Sequence, residues 1–366
     1  MISLEPRARQ VGWAAWAVPV LSILAAFIAG GIVLGLAGVN PLVAYGDLLS
    51  EPFGSVFGLT ETLVKATPLI LAGLAVLLPA RMKLWNIGAE GQLQLGAIGA
   101  SYVALFTPLG HSPMAIPAVL LAGMAAGAAW CLVPAALRAW LNVNETITTL
   151  LLNYVALLWV DYLIYGPWRD PANRGFPLSA TFPPAAKLPV LIPGTRVHLG
   201  LLLALLAVGV VWLVLNRTRW GLEIRVIGDN PDAARCAGIS LVRNTLLVMG
   251  AAGALAGLAG VGEASAIAGR LQQGLSPGYG YTAIIVAWLA RLSPLAVLLV
   301  SILLGGLFLG GDALQISLGL PIAMVNMLQG LIFFFVLGGE VLIGSRIVIG
   351  RHGAGRVRPG APRWAR

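Results

Sequence analysis

Charge is the scarcest commodity in this sequence. Only 10% of its 366 residues are Asp, Glu, Lys or Arg, against roughly 25% in a soluble domain. Cysteine is nearly absent: Cys131 lies in an apolar run and Cys236 in a basic stretch, which excludes a disulfide framework. The three histidines, His111, His198 and His352, are scattered without metal-ligand spacing. No G-x-x-x-x-G-K-[ST] loop is present, so ATP is not bound that way. Ser-x-x-Lys and His-Glu-x-x-His are missing too, which removes support for an intramembrane hydrolase.

Apolar residues fill the space. They make up 58% of the chain, and the mean hydropathy is +0.89. Runs long enough to span a bilayer recur along the sequence. The pattern predicts an all-α polytopic membrane protein of about ten transmembrane helices with both termini cytoplasmic. Spans are expected near 11–38, 62–80, 88–106, 114–137, 145–165, 198–215, 244–268, 281–290, 294–311 and 320–337, the eighth conspicuously short. The first is too long for a signal-peptide core and is read as a retained anchor, with Gly31-xxx-Gly35 as a close-packing face. Between a tail at 1–10 and a basic tail at 346–366, residues 11–345 form one membrane domain. Two long links interrupt it: a basic loop, 216–243, and a proline-rich loop, 166–197, with seven prolines that stiffen it without regular structure. In this arrangement most of the 23 Lys and Arg fall on the cytoplasmic side, so the net charge of +9 is an orientation signal and needs no nucleic acid. Leu71-Ala-Gly-Leu-Ala75 recurs as Leu255-Ala-Gly-Leu-Ala259, and Ser112-Pro-Met-Ala115 loosely as Ser293-Pro-Leu-Ala296, on spans expected to run in opposite directions. That is the signature of an inverted repeat with a pathway between its halves.

Polar residues cluster where spans break. Arg81 to Leu93 carries two cations, two amides, a carboxylate and two glycines between apolar runs. Non-helical backbone at membrane depth persists only where it is buried in protein or lines a wet cavity. Asn86, Glu90 and Gln92 are therefore candidates for the pathway or for the junction beside it. Asn144 suits an N-cap and Glu145 the positive end of the next helix; the same pair is placed to hold a loop against Asn86 and Glu90. Asn153, with Asp161 farther along the fifth span, suits a polar path or a hydrogen bond between helices. Glu263, in Gly260-Val-Gly-Glu263-Ala-Ser, is a charge inside the seventh span, either functional or paired with Arg270 near the outer interface. In the basic loop, Asp229, Asn230, Pro231, Asp232, Arg235 and Gly238 spell a helix of about two turns, with Asn230 the cap, Pro231 the first helical residue and Gly238 the stop. So short a helix must dock on something.

Several of these stretches resemble one family, the permease subunits of nucleoside-type ABC importers, which belong with the ribose and branched-chain amino acid permeases. They are Leu84-Trp-Asn-Ile-Gly-Ala-Glu-Gly-Gln-Leu93, Asn144-Glu-Thr-Ile-Thr-Thr-Leu-Leu-Leu-Asn-Tyr154, Gly166-Pro-Trp-Arg-Asp-Pro171, Gly221 to Ile239, and Gly278-Tyr-Gly-Tyr-Thr-Ala-Ile284. The likeness covers roughly 63–342. Ala290-Arg-Leu-Ser-Pro294 departs from it, standing where the family has a more polar Gly-Arg-Asn-type turn. The resemblance implies a non-enzymatic, cofactor-free importer subunit of the bacterial inner membrane that carries purine or pyrimidine nucleosides. It also implies partners: ABC ATPase subunits that hydrolyse ATP, a second paralogous permease, and a periplasmic or lipoprotein substrate-binding protein docking on outer loops such as Gly166–Val197. Asn230–Gly238 would then be the coupling helix seated in an ATPase groove. A permease for a simple sugar is the near alternative, and a stand-alone proton-coupled carrier using Glu90 or Glu263 the remote one. A scaffold has no use for polar clusters at span breaks.

Overall fold

A computed structural model describes residues 2–6, 14–172 and 175–349. Thirteen α-helices follow in order among them: α1 Ala14–Leu36, α2 Pro41–Phe53, α3 Val56–Ala80, α4 Ala89–Phe106, α5 Ala115–Leu141, α6 Glu145–Tyr165, α7 Leu199–Arg217, α8 Arg219–Asp229, α9 Pro231–Cys236, α10 Leu241–Gly262, α11 Tyr279–Leu289, α12 Pro294–Leu318 and α13 Ile322–Gly344. Seven of the described helices are long and apolar enough to cross a membrane: α3, α5, α6, α7, α10 with its extension to Ala268, α12 and α13. The chain is a multi-pass membrane protein.

It divides into two compact units. In the smaller, residues 1–43 and 321–366, α1 packs on α13 and Ile2–Pro6 pairs antiparallel with Ser345–Ile349. The buried stripe of α1 is Ser22, Ala26 and Leu34, and Ser22 meets Gly339. The expected Gly31-xxx-Gly35 face is not the one used: nothing lies within 4 Å of a side chain started at Gly35. Of the two terminal tails, residues 1, 7–10 and 350–366 lie outside the described residues, as do 11–13 of the first expected span.

The larger unit, residues 44–320, is built around α3 and α10. Helix α3 is started by Ser55, whose Oγ accepts from the Gly58 N–H at 2.9 Å, and most of its length is buried. It packs on α11 and α12, whereas α10 packs on α4 and α5; the two also pack on each other. Small residues let these backbones approach: Gly253 and Gly257 of α10 meet Gly127 and Gly123 of α5. The proline-rich loop is irregular, as expected, but it is fastened down. Phe182 and Ala186 join a core with Ala97, Ala100, Ala264 and Leu271. The Phe182 N–H donates to Gly269 O at 2.8 Å, and the Ser179 N–H to Leu271 O at 3.0 Å.

Two helices were not foreseen. The polar link at 40–61 holds α2, with its apolar stripe Ala44, Leu48, Pro52 spaced by four, and the basic loop holds α8. Helix α11 is indeed short. Eleven residues rise about 16 Å at 1.5 Å each, half of a ~30 Å hydrocarbon core. The segment as a whole reaches farther: Leu271 is bonded to the proline-rich loop, and the Leu292 carbonyl accepts two bonds from Arg81 at the end of α3. Between these contacts Gly269–Gly278 is irregular chain of bends and turns.

Candidate functional site

The polar stretch before α4 folds into a closed lattice. Asn86 Oδ1 accepts from Gln92 Nε2 at 2.8 Å and from the Gly88 N–H at 3.1 Å, and Asn86 Nδ2 returns a bond to Gln92 Oε1 at 3.0 Å. Asn153 on α6 reaches across: its Oδ1 accepts from the Gly91 N–H at 2.8 Å and its Nδ2 donates to Ile87 O at 2.8 Å. Thr149 accepts from the Ile87 N–H. Asn144 caps α6 by accepting from the Thr146 and Ile147 N–H groups. Glu145 accepts from the Trp85 N–H at 3.3 Å and pairs with Arg138 at 3.2 Å. The amide thus caps as expected, while the carboxylate meets the loop at Trp85 and not at Asn86 or Glu90. Asn86, Glu90, Gln92 and Asn153 are all buried.

Glu90 joins α4 to α11. One carboxylate oxygen accepts from the Gly280 N–H at 2.8 Å and the other from Gln94 Nε2 at 3.4 Å. A side chain at Gly280 would overlap the backbone of Glu90, so only glycine permits this contact. Because Asn153 serves one donor and one acceptor in this buried lattice, Asn153→Ala strands both partners. It is expected to destabilise the protein by about 1–3 kcal/mol, read as a lower unfolding midpoint of the purified membrane protein. An unchanged midpoint would mean the lattice closes without α6.

Glu263 sits elsewhere. Residues Glu263–Ala268 form a π-helical turn at the end of α10, a departure from α geometry that is frequent at functional sites. Ser265 fixes the turn to the proline-rich loop, donating to Ala186 O at 2.6 Å and accepting from the Leu188 N–H at 3.2 Å. Glu263 faces a cavity of about 330 Å³ lined also by Lys65, Arg196, Gln272 and Tyr279. The Glu263–Arg270 pair considered from the sequence is not made. Each cation of the cavity has its own acid: Lys65 bonds Asp312 at 2.9 Å, and Arg196 grips both oxygens of the buried Glu61 through Nε and Nη2. Those bonds raise the Arg196 pKa above the usual arginine value. Sequence reasoning missed Lys65, Arg196 and Tyr279. Lys65 was findable as a lone cation inside an expected span; the other two reach the cavity only through the fold.

The basic-loop residues form the short helix that was expected. Asn230 Oδ1 accepts from the Asp232 and Ala233 N–H groups at 3.0 and 3.1 Å, and Pro231 opens α9. The Gly238 N–H donates to Arg235 O and the Ile239 N–H to Ala234 O, a Schellman stop with Gly238 at φ +77°. Asp232 and Arg235 pair on the exposed surface. Ala234 alone is buried on the helix. Asp229 ends α8, just past Gly228, which packs directly on the backbone of Arg81. A cavity of about 740 Å³ opens beside α9, lined by Lys83, Arg138, Trp140 and Arg235 among others. Among the described residues no cluster of His, Cys, Asp and Glu is suited to a metal.

The sequence matches the model of the family described as branched-chain amino acid transport system / permease component over residues 58–337. It is 41% identical to a glucose ABC transporter permease protein of Haloferax volcanii, across 99% of this chain and 99% of that one. It is 32% identical to a guanosine ABC transporter permease protein of Bacillus subtilis, across 91% and 95%, and 32% identical to a nucleoside ABC transporter permease protein of Lactococcus lactis, across 87% and 90%.

Proposed function

Because the chain belongs to the branched-chain amino acid transport system permease family and is an ABC importer permease, we propose that it forms one wall of a pathway carrying nucleosides across the plasma membrane, the inner membrane of a bacterium. The observation that carries the substrate is the likeness to guanosine and nucleoside permeases over about nine-tenths of the chain. A specific observation favours a second reading, a simple sugar: the glucose permease shares 41% of positions over nearly the whole length.

The pathway in this reading passes Glu263 and the cavity it faces. Asn86, Gln92, Asn144, Glu145 and Asn153 fix the shape of the junction beside it, and Glu90 joins that junction to α11. Ten crossings are assigned as in the sequence reading, with α4 and α11 each completed by non-helical chain and both termini cytoplasmic. The pairing of α3 with α11 and α12, matched by that of α10 with α4 and α5, supports an inverted repeat, since the recurring Leu-Ala-Gly-Leu-Ala stretches lie on α3 and α10. Partners follow from the family: a paralogous permease, ATPase subunits engaging Asp229–Gly238, and a substrate-binding protein meeting the loop at 166–197. ATP hydrolysis belongs to the ATPase subunits. A stand-alone proton-coupled carrier is disfavoured by the likeness to ABC transporter permeases along nearly the whole chain.

Competition uptake tests the substrate. In cells carrying the whole system, excess unlabelled guanosine or cytidine is expected to suppress uptake of labelled nucleoside, and excess glucose is not. Labelled glucose uptake that nucleosides leave untouched would replace the first reading with the second. Uptake that survives an inactive ATPase and follows the proton gradient would overturn both.

A further inference from the structure

The cavity below the proline-rich loop carries an asymmetry of charge. Lys65 is matched by Asp312 at 2.9 Å, and Arg196 by Glu61. That leaves Glu263. Its residue is 6% exposed, it faces the cavity, and among the described residues no N–H or O–H donates to its carboxylate. A buried carboxylate without donors is costly, and this one is held in place by the π turn that Ser265 fastens to Ala186 and Leu188. Its surroundings therefore leave its two oxygens facing 330 Å³ of space, at the small end of the range for ligand pockets. The aromatic ring of Tyr279 and the amide of Gln272 line the same space.

We propose that this cavity is a solute subsite of the permease itself, in which the Glu263 carboxylate accepts hydrogen bonds from two adjacent hydroxyls of a neutral solute. Two oxygens of one carboxylate match the spacing of a vicinal diol, and a carboxylate binds hydroxyl donors more strongly than a neutral acceptor does. The inference rests on the reading above that the cargo is a hydroxylated solute. It holds for a ribose ring or a hexose alike, because both present vicinal diols.

The test is a cycle of paired deletions, run as uptake at limiting solute in cells or vesicles carrying the complete transporter with its binding protein. One arm removes the acceptor, Glu263→Ala. The other removes a hydroxyl, by replacing a labelled ribonucleoside with its 2′-deoxy or 3′-deoxy form. The binding protein is the same in every corner, so its own preference cancels. Glu263→Ala is expected to lower uptake of the diol solute by about tenfold, and to change uptake of the matching deoxy solute much less. Glu263→Gln, which keeps the shape and one acceptor, is expected to fall between. An equal loss for diol and deoxy solutes at every hydroxyl, or no loss for any of them, would overturn the subsite. Failure of the cargo reading looks different: the unmodified transporter then takes up glucose and no nucleoside, and the same cycle is run with glucose and its deoxy forms.

Discussion

Replacing Asp229–Arg235 with a flexible Gly/Ser segment is expected to abolish solute uptake while the chain still reaches the membrane with its partners. The reason lies in how force would travel. Helix α9 has six residues, too few to persist on local propensity, yet it is fixed at both ends by the Asn230 cap and the Schellman stop at Gly238. Its exposed face presents Asp232, Ala233 and Arg235. Behind it stands α8, an unbroken eleven-residue strut. The end of α8 next to α9, at Gly228, lies against the Arg81 backbone, and the Arg81 side chain holds Leu292 O at 3.0 and 2.6 Å. A displacement of α9 by an ATPase subunit would thereby be delivered to the ends of α3 and α11 together. A Gly/Ser chain absorbs displacement instead of transmitting it.

Graded variants separate this lever from mere folding. Asn230→Ala removes one cap, worth about 1 kcal/mol, and is expected to reduce uptake partially. Arg81→Ala leaves α9 whole and cuts the link to Leu292, so ATP hydrolysis is expected to continue with uptake diminished. Hydrolysis and uptake falling together in Arg81→Ala would place the fault in assembly, and full uptake by the Gly/Ser chain would end the lever reading. Leu292 is a telling point on this route. Arg291 and Leu292 have φ of +48° and +56°, which branched and bulky residues seldom adopt. This is the turn whose sequence departs from the Gly-Arg-Asn-type pattern of the resembling family, and the Arg81 clamp holds it in place.

What was legible in the sequence follows from the range of the physics involved. Caps are local, and so Asn230, Pro231 and Gly238 announced α9 with its ends correctly placed, as Asn144 announced α6. The short apolar run Tyr281–Ala290 likewise announced a short helix, α11. The Asn86–Gln92 lattice was legible as polarity that had to be buried, and Asn153 as lining a polar path or bonding between helices; that it staples two backbone groups of one loop depends on how α6 lies against α4. The cavity was not legible at all. Its walls come from α3, the proline-rich loop, the π turn and α11, and no periodicity links Lys65, Arg196, Glu263 and Tyr279. Nor does hydropathy tell a lipid-facing stripe from a packed one, since both are apolar. Gly31-xxx-Gly35 looked like a contact face, and α1 packs through Ser22, Ala26 and Leu34 instead.

Glycine spacing acquires meaning only when a partner backbone is found, and Gly257→Leu gives the sharpest stability test of the fold. A Cβ at Gly257 would overlap the Gly123 carbonyl of α5 and stand 3.2 Å from Gly127 Cα. On another side, a Cβ at Gly96 of α4 would overlap Gly257 itself. Three helices therefore cross at one point with no side chain between them. The obstacle is main chain on every side, which cannot rotate away as a flexible side chain does. Overpacking a core by added carbons costs about 1–3 kcal/mol when side chains yield; here α10 must part from α5 and α4, and the expected loss is at or above the top of that range. The chain should accumulate poorly in membranes and unfold at a lower temperature. Gly209→Leu on α7 is the matched control, the same substitution within an apolar helix with nothing within 4 Å of the new Cβ. It relieves a helix-interior glycine, worth up to about 1 kcal/mol, so it is expected to be neutral or slightly stabilising. If the two variants prove equally stable, α4, α5 and α10 do not cross as described. If Gly257→Leu alone fails, close backbone contact at that crossing, and not hydrophobicity, is what holds the core of the permease together, because leucine adds apolar surface at both sites and only one of them has room for it.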